Sequence, residues 1–344
     1  MKSREPRLLF TSERLPNIMS KDWVIRDILA AGEISMILAP PFAGKSALAG
    51  DMAATIGTGE PWFGHPTSKA ASVYVAQERF GVMYRRFRAY EHHHVADTLP
   101  IALLLDRLDL VNEVHLGKQL ILDAVKNCED QTGLPVKLIT LDTIAALSPG
   151  TDENSSRDMG RFVDTVCRIR DVLDGKTHIS LVHHTPHHDH RKPRGHSSLP
   201  GALDVIMLVS AKGKNRFWEV WRANDQVDLP SAKFELQPVF LWNDADGLPR
   251  YAPVVVPVDK ASKDASVKEG PKPLTPDGKA GLAILQSLAD GIVTLERFRE
   301  AFKAHPAFKD RKNDAQRQAF KTVKDQLERS GHITFPDDFV ANER

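Results

Sequence analysis

The sequence predicts an α/β fold, a mostly parallel central sheet flanked by helices, followed by a smaller helical domain at the C-terminal end. Three observations carry this. Short apolar runs at 34–38, 73–76, 136–141, 179–182 and 205–209 have the length and continuity of strands buried on both faces. Segments of helical periodicity alternate with them, which argues for a parallel sheet with its ligand at the carboxyl ends of the strands. The first run leads directly into Ala39, Pro40, Pro41, Phe42, Ala43, Gly44, Lys45 and Ser46, a phosphate-binding loop that opens a helix at Ala47.

Taken in order, residues 1–27 read as an arm leading into the core, with Trp23, Val24, Ile28 and Leu29 as packing contacts. In the loop, backbone N–H groups and the helix N-terminus would face phosphates. Lys45 would reach the β and γ oxygens of ATP, and Ser46 would offer a hydroxyl to Mg²⁺. Gly44 lets the backbone approach closely. Ala39 stands where the motif usually has its first glycine, and Pro40 and Pro41 remove two N–H donors. Leu116, Leu120, Ala124 and Val125 form one helical stripe. Phe162, Val163, Val166, Ile169, Val172 and Leu173 form another, with Ser155 and Asp158 spaced as a capping box. The strand at 136–141 ends in Asp142, the position expected to hold the Mg²⁺ hydration shell. From 218 to 236 the pattern turns strand-like and suggests antiparallel edge strands.

The first domain is expected to span 28–258. Residues 259–278 are rich in Ser, Asp, Gly, Lys and Pro and read as a linker. Amphipathic helices follow at 280–288, 294–304 and 314–330, with a short strand at 332–335, so 279–344 suggests a winged helix-turn-helix. Lys312, Arg317, Lys321 and Lys324 lie on or just before its third helix, where duplex DNA would be met. Asp310, Asp314, Asp325 and Glu328 offset that charge, which leaves a protein-interaction module as the competing reading.

Composition narrows the function classes. Hydrophobic residues make up 42% and charged residues 26%, ordinary globular values, and a formal net charge of +1 excludes gross electrostatic adhesion to nucleic acid. Cys128 and Cys167 are the two cysteines and imply neither a disulfide framework nor a zinc knuckle, so a reducing cytoplasm is expected. No signal peptide or membrane span is read. His183, His184, His187, His188 and His190 invite a metal reading, but zinc ligands need a fixed geometry, usually with a carboxylate or thiolate companion, whereas five histidines in a flexible basic loop more often serve as polar contacts. A small-molecule kinase is disfavoured because no acceptor pocket or arginine-rich lid is evident.

The chain resembles the RecA-like ATPases of phage and plasmid origin that include the RepA-like hexameric replicative helicases. The resemblance covers about 20–240. It rests on Trp23 with Gly32 and Glu33, the loop from Ala39 to Ser46, the Gly-Glu-Pro-Trp-Phe-Gly segment at 59–64, and the strand at 73–76 with Gln77 and Glu78, then Arg85, Arg86 and Arg88. Beyond these it rests on Leu141-Asp142-Thr143, the Asp-Glu-Asn-Ser segment at 152–155, His183-His184-Thr185 and the segment at 194–199. The resemblance implies ATP hydrolysis, a homo-oligomeric, hexameric ring and single-stranded DNA as partner. It makes Glu78 the base that orients the attacking water and His184 the γ-phosphate sensor. It also lays Arg191, Lys192, Arg194 and His196 along a DNA-binding loop. Arg222 would be the cation reaching a neighbour's γ-phosphate, although Asn224 stands where the family has a second one. The implied function is a Mg²⁺-dependent ATPase acting on DNA, a replicative helicase or its loader in a mobile element. The alternative is an ATP-dependent, oligomeric DNA-binding switch that does not translocate.

Overall fold

A computed structural model describes residues 20–94, 98–185, 198–226, 228–258, 274–288, 292–329, 333–334 and 339–342. These fall into two compact units, one within Met1–Gln237 and Pro253–Lys263, the other within Pro238–Ala252 and Asp264–Arg344. The expected linker lies, up to residue 273, outside the described residues.

The first unit opens with a hairpin, β1 (Trp23–Ile25) and β2 (Leu29–Ala30), which buries Val24, Ile25, Ile28 and Leu29 completely. Strands and helices then alternate: β3 (Ile34–Ala39), α1 (Lys45–Thr58), β4 (Ala71–Ala76), α2 (Phe80–His93), β5 (Ile101–Leu104), α3 (Val114–Thr132) and β6 (Val136–Asp142). The short α4 (Ile144–Leu147), α5 (Ser156–Val172), β7 (His178–His184), α6 (Ser198–Gly201), β8 (Val205–Lys212) and β9 (Asn215–Ala223) follow, then β10 (Ser231–Asn243) and β11 (Pro249–Pro257), whose residues Pro238–Ala252 are counted with the second unit. Nine strands form one sheet in the order β11-β10-β9-β8-β3-β7-β6-β4-β5. Strands β3 to β8 pair in parallel, and β8, β9 and β10 pair antiparallel, as the pattern from 218 onward suggested. The α/β class with a mostly parallel central sheet is therefore the fold observed. Every residue of β3 and β4 is buried, which is why these strands read as unbroken apolar runs.

Parallel pairing puts the C-terminal ends of β3, β4, β6 and β7 on one edge of the sheet. Register keeps them level: Ala39 pairs with His184, Ala76 with Asp142, and Asp142 with Val182. Strand β3 follows β2 directly yet lies between β7 and β8, so the loop after it opens where the strand order reverses, the usual place for a ligand.

Two details of the sequence reading change. The outward residue of the α3 stripe is Leu116, 53% exposed, and the buried face runs through Gly117, Ile121, Val125 and Cys128. Leu120 and Ala124 pack partly buried against the core and Val125 is buried, so of the stripe only Leu116 turns outward, at the edge of a face that rotates by about 100° per residue. Strands β1, β2, β5 and β11 carried no pattern strong enough to single out. For α5 the cap is as read: Ser155 Oγ accepts from the Asp158 N–H at 3.3 Å. The Asp158 carboxylate, however, takes the Asp152 N–H rather than that of the cap residue.

His178 lies at the base of β7 with no exposure. Its Nδ1 is 2.7 Å from the Ala30 carbonyl and its Nε2 2.8 Å from Ser35 Oγ. Burial pushes its pKa from 6.5 down to about 4, against the Ala30 hydrogen bond. The folded value lies below the unfolded one, so the unfolded chain takes up this proton first as pH falls. Stability from neutral His178 is complete above pH 6.5 and is lost between 6.5 and 4. Denaturant unfolding should show this residue alone removing about 2 kcal/mol between pH 7.5 and 5. His178→Gln should flatten that part of the profile, and an unchanged slope would refute the assignment.

The second unit holds α7 (Pro276–Leu288), β12 (Ile292–Thr294), α8 (Leu295–Ala304), α9 (Asn313–Arg329), β13 (Ile333–Thr334) and β14 (Phe339–Asn342). The first of its helices begins at Pro276, before the expected boundary, because Thr275 Oγ1 accepts the Gly278 N–H at 3.1 Å and caps it. Strand β14 lies between β12 and β13, antiparallel to both. Phe298, Phe302, Phe308 and Phe320 form the centre of a separate core with Ile284, Leu285, Val323 and Leu327. Arg311 grips Asp277 through two hydrogen bonds of 2.6 and 2.8 Å, tying the start of α7 to the turn before α9. Lys312, Arg317 and Lys321 are exposed. No helix among the described residues is long and apolar enough to cross a membrane.

Candidate functional site

The loop after β3 turns at once: the Ala43 N–H donates to the Pro40 carbonyl at 3.3 Å, and Phe42 takes a φ of 65° with its ring 84% exposed. Gly44 has φ 103°, a conformation that disfavours a side chain, and a Cβ there would lie 3.1 Å from Arg216 Cδ. Lys45 then begins α1, whose N-terminus no side chain caps. That leaves first-turn N–H groups for a ligand. The helix is buried almost all round from Ala47 to Gly57, which is why its sequence shows little amphipathic contrast.

Behind the loop, Asp51 on α1 accepts a hydrogen bond from Trp62 Nε1 at 2.7 Å, and burial pushes its carboxyl up to about 7. Trp62 packs on Trp218 with ring centroids 4.6 Å apart, and Phe63 packs on Trp218 and Phe234. The segment at 59–64 thus anchors β9 and β10 beside the phosphate loop, where Arg216 stands.

A cavity of about 440 Å³ opens on this edge of the sheet. From the loop and α1 it takes Pro41, Phe42, Gly44, Lys45, Ser46 and Ala47; from the ends of β4, β6 and β7 it takes Glu78, Asp142, Thr143 and His184. Ala39, Pro40 and Ala43 shape the loop without lining the cavity. Asp142 is 7% exposed and accepts a hydrogen bond from the Tyr74 hydroxyl at 2.8 Å. Burial pushes its carboxyl above the usual carboxylate range, while hydrogen bonds from Tyr74 and Ser46 and the charge of Lys45 oppose the rise. Burial pushes the Lys45 ammonium down, while Asp142 and Glu78 draw it up. Glu78 accepts the Thr143 hydroxyl at 2.7 Å. His183 and His184 alternate across β7, so His183 is fully buried while His184 reaches the cavity.

Three cations in the cavity wall were not singled out as site residues by the sequence reading: Arg79, Arg86 and Arg216. Arg79 and Arg86 were legible in principle, since they fall with Met83 on one face of α2 at helical spacing after Glu78. Arg216 was not, because only the antiparallel register of β9 on β8 carries it back over Gly44. Arg222 lies elsewhere, with its Nη2 donating to the Leu203 carbonyl at 3.2 Å, and does not line the cavity. Arg191, Lys192, Arg194 and His196, like His187, His188 and His190, lie outside the described residues. Among the described residues no cluster of three or more His, Cys, Asp or Glu could hold a metal ion.

Ser46 and Asp142 place a hydroxyl and a buried carboxylate in the wall of one cavity beside the phosphate loop. These are hard oxygen donors of the kind Mg²⁺ takes alongside phosphates. The donor set fits that ion.

Comparison with known proteins gives a family and some distant structural likenesses. A search of the curated proteins gave no match. Among solved structures, the RadB recombinase is similar at 15% identity and a TM-score of 0.43, over 60% of this chain and 88% of that one. A KaiC-like protein of the hyperthermophilic archaeon Pyrococcus horikoshii is similar at 14% identity and a TM-score of 0.41, over 69% and 94%. The AAA domain model matches residues 2–190, a stretch that holds the phosphate loop, Glu78, Asp142 and His184. Because that match runs over more than half of the 344 residues, the chain belongs to the AAA domain family.

Proposed function

We propose that the cavity binds ATP with Mg²⁺ and hydrolyses it, and that the protein couples this cycle to DNA. The observation that carries the nucleotide assignment is the charge of the wall: Lys45, Arg79, Arg86 and Arg216 face Glu78 and Asp142. The excess of two positive charges complements a magnesium-bound triphosphate, and it surrounds the helix N-terminus that favours phosphate.

In this reading Lys45 holds the β and γ oxygens and Ser46 and Asp142 hold the metal, which when bound neutralises charge on the transferring phosphoryl group. Glu78 takes the proton of the attacking water. His184, level with the end of β3, contacts the terminal phosphate and passes its presence to the chain that follows. Arg222 does not line the cavity of its own subunit; the resemblance to hexameric helicases makes it the cation for a neighbouring subunit's phosphate in a ring.

The DNA half rests on the resemblance to RepA-like helicases and on the exposed Lys312, Arg317 and Lys321 of the second unit, which we read as winged-helix-like. The choice between a translocating helicase and a regulatory switch is made by turnover and unwinding. A helicase should hydrolyse ATP faster with single-stranded DNA and lose strand displacement when Arg191, Lys192 and Arg194 become Ala. A switch should turn over at one rate with or without DNA and bind duplex. In that case Lys312→Ala, Arg317→Ala and Lys321→Ala should each reduce the salt slope of duplex binding by about 1. ATP binding without turnover would leave the switch alone standing, and neither binding nor turnover would sink both readings.

A further inference from the structure

We propose that Thr143 is a positioning residue that holds Glu78 in working geometry, an inference that rests on Glu78 being the base. Strands β4 and β6 are neighbours, with Ala76 paired to Asp142, and the Gln77 N–H continues the ladder to the Asp142 carbonyl at 3.1 Å. Strand β6 ends in Asp142 and Glu78 stands two residues after β4; both carboxylates line the cavity, and each is held by a hydroxyl from the other strand's segment. Tyr74 of β4 donates to Asp142 at 2.8 Å, and Thr143, directly after β6, donates to Glu78 Oε1 at 2.7 Å.

The two carboxylates differ in what else could fix them. Asp142 is buried and close to Ser46 and Lys45. Glu78 sits on an exposed residue at the mouth of the cavity and also borders a second cavity lined by Arg107, Asp109 and Glu113. A glutamate there has rotamers leading away from the phosphates, and ordering it costs side-chain entropy. Thr143 is 2% exposed and its hydroxyl is held on a β-branched side chain with restricted χ1, so it offers a fixed anchor. One carboxylate oxygen is engaged and the other is left for water. The backbone under Glu78 is fixed as well: the Gln77 side chain donates to the Asp106 carbonyl at 2.7 Å and accepts from the Leu108 N–H at 3.1 Å. The placement that lets a base act is thereby set before nucleotide arrives.

The test is ATP turnover and fluorescent-nucleotide affinity for Thr143→Val, Thr143→Ser, Glu78→Gln and the Thr143→Val, Glu78→Gln pair. Thr143→Val, nearly isosteric, should lower kcat about tenfold with affinity within about twofold of wild type. Thr143→Ser should restore most of kcat, and Thr143→Val should add nothing in the Glu78→Gln background. An unchanged kcat in Thr143→Val, an undiminished defect in Thr143→Ser, or a full additive loss in the pair would each overturn the positioning role. Glu78→Gln turning over at the wild-type rate would instead overturn the base assignment beneath it.

Discussion

Glu78→Gln is expected to bind ATP with wild-type affinity and to turn it over at least about a hundredfold more slowly, the usual worth of a positioned general base. The amide keeps the size of the side chain and keeps an oxygen to accept from Thr143 Oγ1, now 2.7 Å from Oε1, so the substitution removes basicity with little else. Affinity should be spared because the phosphate contacts assigned above belong to the loop and to the cavity's cations, which the substitution leaves in place. Single-turnover chemistry and equilibrium binding, measured on the same preparation, separate the two effects. Loss of affinity with residual chemistry intact would place Glu78 in binding and remove it as the base.

Lys45→Ala is expected to weaken ATP binding by about thirtyfold to a hundredfold, roughly the 2–3 kcal/mol of charge-assisted hydrogen bonding to phosphate, and to abolish measurable turnover. Binding should persist in weakened form because Arg79, Arg86 and Arg216 remain in the wall. The fold should not suffer. Burial already pushes the Lys45 ammonium down in the ligand-free cavity, so removing it relieves desolvation at the cost of one partner for Asp142. Titration with a fluorescent nucleotide, alongside thermal unfolding without nucleotide, reads both arms. Wild-type affinity would mean that the triphosphate does not lie on this loop.

Glu78 and Lys45 come together from separate stretches of chain, and that separation marks how much of the site could be read in advance. The loop from Ala39 to Ser46 is local: its Gly-Lys-Ser follows an apolar run and precedes a helix, and a phosphate cradle needs only that succession. Asp142, Glu78 and His184 were legible at one remove, because each ends an apolar run and parallel pairing brings such ends to one edge. The runs at 73–76 and 136–141 name the strands but not their adjacency. It is the pairing of Ala76 with Asp142 that lets Thr143 reach Glu78, and sequence spacing gives no hint of it.

By itself the sequence determined the α/β class, the phosphate loop and the strand-end carboxylates. These follow from periodicity of burial and from residue chemistry within a few positions, which act before any long-range contact forms. Tertiary structure alone decided the place of Arg216 in the cationic wall and the reciprocal hydroxyl clamps. Arg216 reaches Gly44 through the register of an antiparallel strand supported by the Trp62, Phe63, Trp218 and Phe234 cluster. Tyr74 reaches Asp142 across a strand pair whose members are 68 residues apart. Such contacts depend on which strands become neighbours and on which face each side chain leaves, and a shift of one residue in register would send every one of them to the opposite side of the sheet.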